Sequence, residues 1–380
     1  MPNYVQVSNN IWNWISSAVH LNSNNQAYLD LWRSGEKQPT FNQLEDFSQK
    51  TRIPFGYFFL STPPTEKFKI LEFRTVDSIS LQNPSRDLMD TVRQMENVQE
   101  WMREYVIGSN GEKVSFVGSL PSNRDALSVA VAIRKILSLP VNWYENVKNV
   151  EDAFKHVRKA ISNTGVLVMM NGIVGSNTHR ALNVDEFRAF TLVDEYAPLI
   201  FINAADSRGG MLFSLFHEFA HIGIGTSSLF NASAGDSHFI NPHETLCNAV
   251  TAELLVPIAV FRGKWEKADG EAIEKINSVS MSFKCSKTVI ARRALDSGFI
   301  SLNEYNQFIS LVRIAVKNQQ ASSGGDYYKT QASRIDHKFL FALHASLHEG
   351  RTLHTEAFRL TNTNSSTFDG LINEARGERR

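Results

Sequence analysis

"MLFSLFHEFAHIGIG" (Met211–Gly225) decides how the rest of the chain is read. Its spacing predicts a helix: Phe216, Phe219, Ala220 and Ile222 supply an apolar face, and His217 and His221 stand one turn apart. Residues four apart on a helix lie one above the other, so the two imidazoles point the same way. Two imidazoles on one face can take two corners of a zinc tetrahedron. Glu218, beside the first histidine, is placed to act as a general base on a water there. A catalytic zinc needs a third protein ligand and one open position, so the third ligand must come from downstream.

"NPHETLCNAVTAELLVP" (241–257) supplies a candidate. It starts at a proline and carries Leu246, Val250 and Leu254 at helical spacing, with Glu244 in its first turn, 23 residues after His221. Glu253 is the rival carboxylate. Its nine-residue offset from Glu244 turns it by about 180° on a 3.6-residue period, which suits it to supporting a ligand histidine through a hydrogen bond. His243 and Cys247 also lie nearby, and Cys247 is expected to face another side as a small core residue.

Upstream of the histidines the hydrophobic period shortens. "GVLVMMNGIVG" (165–175) is an apolar run of strand length, and "EFRAFTLVDEYAPLIFIN" (186–203) holds two β-rich runs separated by Asp194 and Pro198, a hairpin signal. A small sheet leading into the histidine helix follows. Elsewhere the period is helical. Ile11, Trp14, Ile15 and Ala18 define one early face, and Phe41, Leu44 and Phe47 another. Leu88, Val92, Met95, Met102 and Tyr105 mark a long helix from Pro84 to about Val106, and further helices cover Asn123–Leu137 and about Val150–Ser162. "STPPTE" (61–66) breaks regular structure, "ASSGGDYY" (321–328) reads as a linker, and most of the chain after Pro257 is helical.

Composition places the chain among ordinary globular proteins: hydrophobic residues make up 42% and charged residues 21%. No run reaches the roughly 20 apolar residues of a membrane helix. "MPNYVQVSNN" lacks a basic segment followed by an apolar one, so no signal peptide is expected. Two cysteines, Cys247 and Cys285, argue against a disulfide framework and for a reducing, cytoplasmic setting. Net charge is zero, yet residues 261–380 hold 18 Lys and Arg against 13 Asp and Glu, so any nucleic-acid contact is favoured there.

Residues 165 to 257 resemble the ImmA/IrrE family of zincin-like metalloendopeptidases. The resemblance rests on "EFRAFTLVDEYAPLIFIN", "FSLFHEFAHI" and "ETLCNAVTAELLVP". It implies that His217, His221 and Glu244 are metal ligands for one Zn2+ per chain and that Glu218 is the general base. Cys247 stands where the family usually has Ala, and Ala189 where Gly is common after the Phe-Arg pair. The oxyanion donor is not fixed by the pattern; His179, Arg188, Tyr196 and His238 are candidates. The implied fold is α+β and mostly helical, a minimal zincin core (a small sheet packed on the HExxH helix) with helical modules on either side.

"WRSGEKQPTFNQLEDFSQKTRIPFGYFFLSTPP" (32–64) resembles the second half of an XRE-type helix-turn-helix, through Trp32, Gly35, Pro39, Leu44 and the Ile-Pro-Phe ending. Its first half departs, because only about a dozen residues separate Val19 from Trp32. Near the other end, "CSKTVIARRALDSGFIS" (285–301) has the look of a helix-turn-helix remnant with paired Arg292 and Arg293. "EGRTLHTEAFRLTNTNSSTFDGLINEARGERR" (349–380) reads as helix, turn and a helix capped by serine near Ser366.

The expected organisation is a degenerate XRE-like module over 1–66, a metallopeptidase domain over 67–262 with its core at 165–257 and a helical cover at 84–160, and a helical region over 263–380. The family resemblance implies a zinc endopeptidase that cuts a repressor or antitoxin-like protein and so controls a stress, mobile-element or toxin-antitoxin operon, with active and latent states both left open. The rival reading is an antitoxin or transcription regulator that holds a cognate toxin by its surface. The terminal modules are read first as a scaffold, partner surface or helical lid and second as contacts to operator DNA, and no membrane partner is expected.

Overall fold

The computed structural model describes residues 3–18, 21, 23–51, 53–64, 84–120, 125–230, 242–317 and 327–376. The described residues divide into two compact units, one up to Arg93 and one from Gln94 onward.

In the first unit, helices α1 (Asn9–Ala18), α2 (Ser23–Arg33) and α3 (Phe41–Thr51) and a 3-10 turn (Phe55–Phe59) enclose a small aromatic core. Trp12 is fully buried, with Trp32, Phe47 and Phe58 around it at ring distances of 5.6, 6.5 and 5.8 Å. The helical period placed Trp14 on the buried face. The structure puts Trp12 there with Ile11 and Ile15, and leaves Trp14 at the margin beneath the Arg86 guanidinium. Phe41 is likewise exposed while Leu44 and Phe47 are buried. One helix, α2, occupies the short segment before Trp32 and runs on through Trp32 to Arg33. Helix α4 (Arg86–Gly108) begins here with Leu88 and Val92 buried.

The second unit is built around a four-stranded sheet. Helices α5 (Ala126–Leu137) and α6 (Val150–Asn163) precede strand β1 (Leu167–Asn171), a polar two-stranded ribbon of β2 (Ile173–Val174) and β3 (Asn177–Ala181), then β4 (Ala189–Leu192) and β5 (Leu199–Asn203). Helix α7 (Arg208–Ile224) follows, then β6 (Ser228–Phe230). The sheet order is β1-β5-β4-β6, with β1 parallel to β5 and the other pairs antiparallel. The expected hairpin is therefore β4–β5, with Phe190 opposite Phe201.

Alternation along the strands sends Val168, Met170, Ala189, Ile200 and Ile202 into the core that holds α7. Helices α5 and α6 share that core: Ile133, Leu137, Phe154 and Val157 pack with Leu212, Phe216 and Phe219. The segment read as a cover thus supplies part of the core itself. Helix α7 is capped by the Ser207 hydroxyl, which accepts from Gly210 N, and stops at Gly225 in the left-handed region. Gly118 packs against Gly225, and Gly118 N and Leu120 N donate to the carbonyls of Ile222 and Gly223.

Helices α8 (Pro242–Leu255), α9 (Ile258–Glu266), α10 (Ala272–Phe283), α11 (Lys287–Asp296) and α12 (Leu302–Lys317) continue the chain. The last group, α13 (Tyr327–Arg334), α14 (His337–His348), α15 (His354–Thr361) and α16 (Ser365–Arg376), docks on the sheet edge. Asp336 caps α14 through Lys338 N, and its other oxygen accepts from Val168 N on the outer edge of β1 at 3.2 Å. Arg158 on α6 ties both sides, donating to the carbonyls of Val168, Ser333 and Ile335. A sheet edge is thereby closed by side chains and a helix start, one of the standard ways to protect it. The cap of α16 is Asn364, whose side-chain Oδ1 accepts from Thr367 N, rather than a serine.

Among the described residues no single helix is long and apolar enough to cross a membrane.

Candidate metal centre

Helix α7 is apolar nearly all round because it lies between the sheet and helices α5, α6 and α8. Its polar residues are therefore buried as well. His217 and Glu218 have no solvent exposure and His221 has 2%. Buried polar groups of this kind are costly unless matched by partners.

The partners come from three elements. Glu244, in the first turn of α8, brings its carboxylate to both imidazoles: Oε2 lies 3.2 Å from His217 Nε2 and Oε1 lies 3.1 Å from His221 Nε2. The two Nε2 atoms are themselves 3.1 Å apart. Bonds of 2.0–2.1 Å to a tetrahedral ion place donor atoms about 3.3 Å from one another. The three donors fit such an ion, and they form the one group of this kind among the described residues. Thr226 Oγ1 lies 2.9 Å from His221 Nδ1, which orients the ring and leaves Nε2 for the metal face. Phe213 stacks on the His217 ring.

Glu218, next to His217 in sequence, is anchored to the sheet through one oxygen. Thr191 Oγ1 on β4 and Ser228 Oγ on β6 both donate to Oε2, at 2.5 and 2.6 Å. Oε1 is buried with no hydrogen-bond partner among the described residues. Burial pushes the Glu218 carboxyl up, against the pull of the two histidines and the two hydroxyls. Burial also opposes charge on Glu244, but both imidazoles outweigh it and hold that carboxyl far below its usual range. At His221 burial is again outweighed, here by Cys247 and Glu244, so the imidazole is raised well above its ordinary value.

Two expectations about α8 are corrected. Cys247 does not face away: its thiol is fully buried against His221, because it lies three residues after Glu244 and so shares its face. Glu253 supports no ligand histidine. It pairs with Arg293 on α11 and accepts from Ile258 N, tying the end of α8 to the start of α9. This also takes Arg293 out of any solvent-facing pair, leaving Arg292 exposed with Asp296. His243 is not among the converging donors.

Of the oxyanion candidates, Arg188 is held by Asp206 at 2.7 Å, Tyr196 lies beneath Lys113, and His179 sits on the polar ribbon. His238 lies outside the described residues. Sequence reasoning missed Thr191 and Ser228. Thr191 sits inside an apolar strand and Ser228 in a three-residue strand that carries no hydrophobic alternation.

No curated protein and no solved structure matches the chain significantly. A family model for a domain of unknown function, DUF8813, matches residues 335–374, which span α14 to α16. Residues 163–295, from the end of α6 to α11 and including every residue of the donor group, match the model of the IrrE N-terminal-like domain, Peptidase_M78.

Proposed function

We propose that this domain is a zinc-dependent endopeptidase that cuts a regulatory protein. The reading rests above all on one juxtaposition: three metal-type donors converge beside a buried carboxylate that has one oxygen held and one free. His217, His221 and Glu244 would hold the ion. When bound, zinc supplies Lewis-acid polarisation of a peptide carbonyl and acidifies a water.

The chain's own groups do the rest. Thr191 and Ser228 fix Glu218 Oε2, so Oε1 is the oxygen that takes a proton from the attacking water. The raised carboxyl affinity for protons lets Glu218 carry that proton and pass it to the leaving amine nitrogen. Thr226 holds His221, and Glu244, whose side chain is 31% exposed, marks the side from which substrate arrives.

The substrate we propose is a repressor or antitoxin-like protein, and zinc is proposed on the nitrogen and carboxylate donor set. Incubating the wild type and Glu218→Gln with candidate repressors encoded beside it tests the reading. Cleavage by the wild type alone supports it, and identical behaviour of the two overturns it.

A further inference from the structure

Helix α14 carries a second pair of histidines four residues apart, His344 and His348. Their Nε2 atoms converge to 3.0 Å and their ring centroids to 4.3 Å. This repeats the arrangement on α7, where the same distances are 3.1 and 4.8 Å. With bonds of 2.0–2.1 Å, two donors of one ion lie about 2.9 Å apart at a right angle and about 3.3 Å apart in a tetrahedron. The α14 pair falls between these limits.

We propose that His344 and His348 form a second, solvent-reachable chelating site for a borderline divalent transition metal such as Zn2+ or Cu2+. Imidazole nitrogen is the donor such ions prefer. The helix is buried through Phe339, Leu340, Ala342, Leu343 and Ser346, so the pair sits on the face left to solvent, with His348 exposed and His344 half-buried.

Burial, His348 and Arg376 lower the affinity of His344 for a proton, and Asp369 on α16 opposes them. Asp369 acts on His344 as a negative charge from the neighbouring helix, while Arg376 at the end of that helix works against a cation. No third His, Cys, Asp or Glu donor closes the group among the described residues, so water completes the coordination. Binding is therefore weaker than at the α7 group, and it does not depend on that group's function.

The full-length chain, stripped with chelator and titrated with ZnCl2 by calorimetry, tests this in the wild type, His348→Gln, His344→Gln and His217→Ala. Both α14 positions face solvent, and circular dichroism checks each fold. The expected result is a zinc-binding event that vanishes in His348→Gln and His344→Gln and persists in His217→Ala. The absence of any event that depends on His348 overturns the proposal.

Discussion

The pairs His217/His221 and His344/His348 share a helix spacing and nearly the same nitrogen separation, yet they are different objects. On α7 the pair is sealed between sheet and helices, and a third helix delivers Glu244 to both rings. The carboxylate of Glu218 stands next in sequence and has one oxygen held by hydroxyls of β4 and β6. On α14 the pair faces solvent, and Asp369 is near enough to act through charge alone. A His-x-x-x-His spacing sets the distance between two nitrogens. Whether chemistry follows depends on what the rest of the fold brings to them, here one carboxylate from α8 and two hydroxyls from β4 and β6.

Five measurements bear on this contrast. The largest effect is expected from Glu218→Gln, which keeps the donors intact but removes the base, lowering kcat/KM by roughly 10²–10⁴ while bound metal is unchanged. Next is Asp336→Ala, which uncaps α14 and leaves Val168 N buried without an acceptor. It should cost about 2–4 kcal/mol, read as a shift of the urea midpoint, with faster amide exchange over 327–376 than over α7. Gly223→Ala would drive a methyl to 2.5 Å from Leu120 Cδ1 beside the His221 turn. About 1–3 kcal/mol of destabilisation is expected by thermal melting. Thr191→Val removes one of the two donors to Glu218 Oε2, and a loss of about tenfold in kcat/KM with full metal content is the expected kinetic result. The smallest signal concerns Cys285, buried and pushed up to about 12, which should resist thiol reagents at neutral pH until the protein is denatured.

Much of the α7 site could be read directly from the chain. The helix period, the paired histidines and a carboxylate in the first turn of the next helix all follow from local pattern, and so does the β4–β5 hairpin. Thr191 and Ser228 could not be read, because their role depends on which strands flank α7 in space. Both are short polar residues that fit a strand or loop equally well. Cys247 was expected on another side, but Glu244 and Cys247 lie three apart and share a face. Glu253 looked like a support for a histidine, but only the tertiary approach of Arg293 reveals its partner. Trp12 and Trp14 differ by two positions on one amphipathic turn, and packing against Trp32 and Phe58 selects Trp12. The docking of α13 to α16 on β1 rests on Arg158 and Asp336, two charged residues that no periodicity singles out.

The most direct test of the central claim is elemental analysis of the wild type, Glu218→Gln and His217→Ala, each purified without added metal and exchanged into metal-free buffer. About one retained zinc per chain is expected in the wild type and in Glu218→Gln, with none in His217→Ala. Folded protein that holds no metal in any of the three, or equal metal in all of them, would contradict that claim.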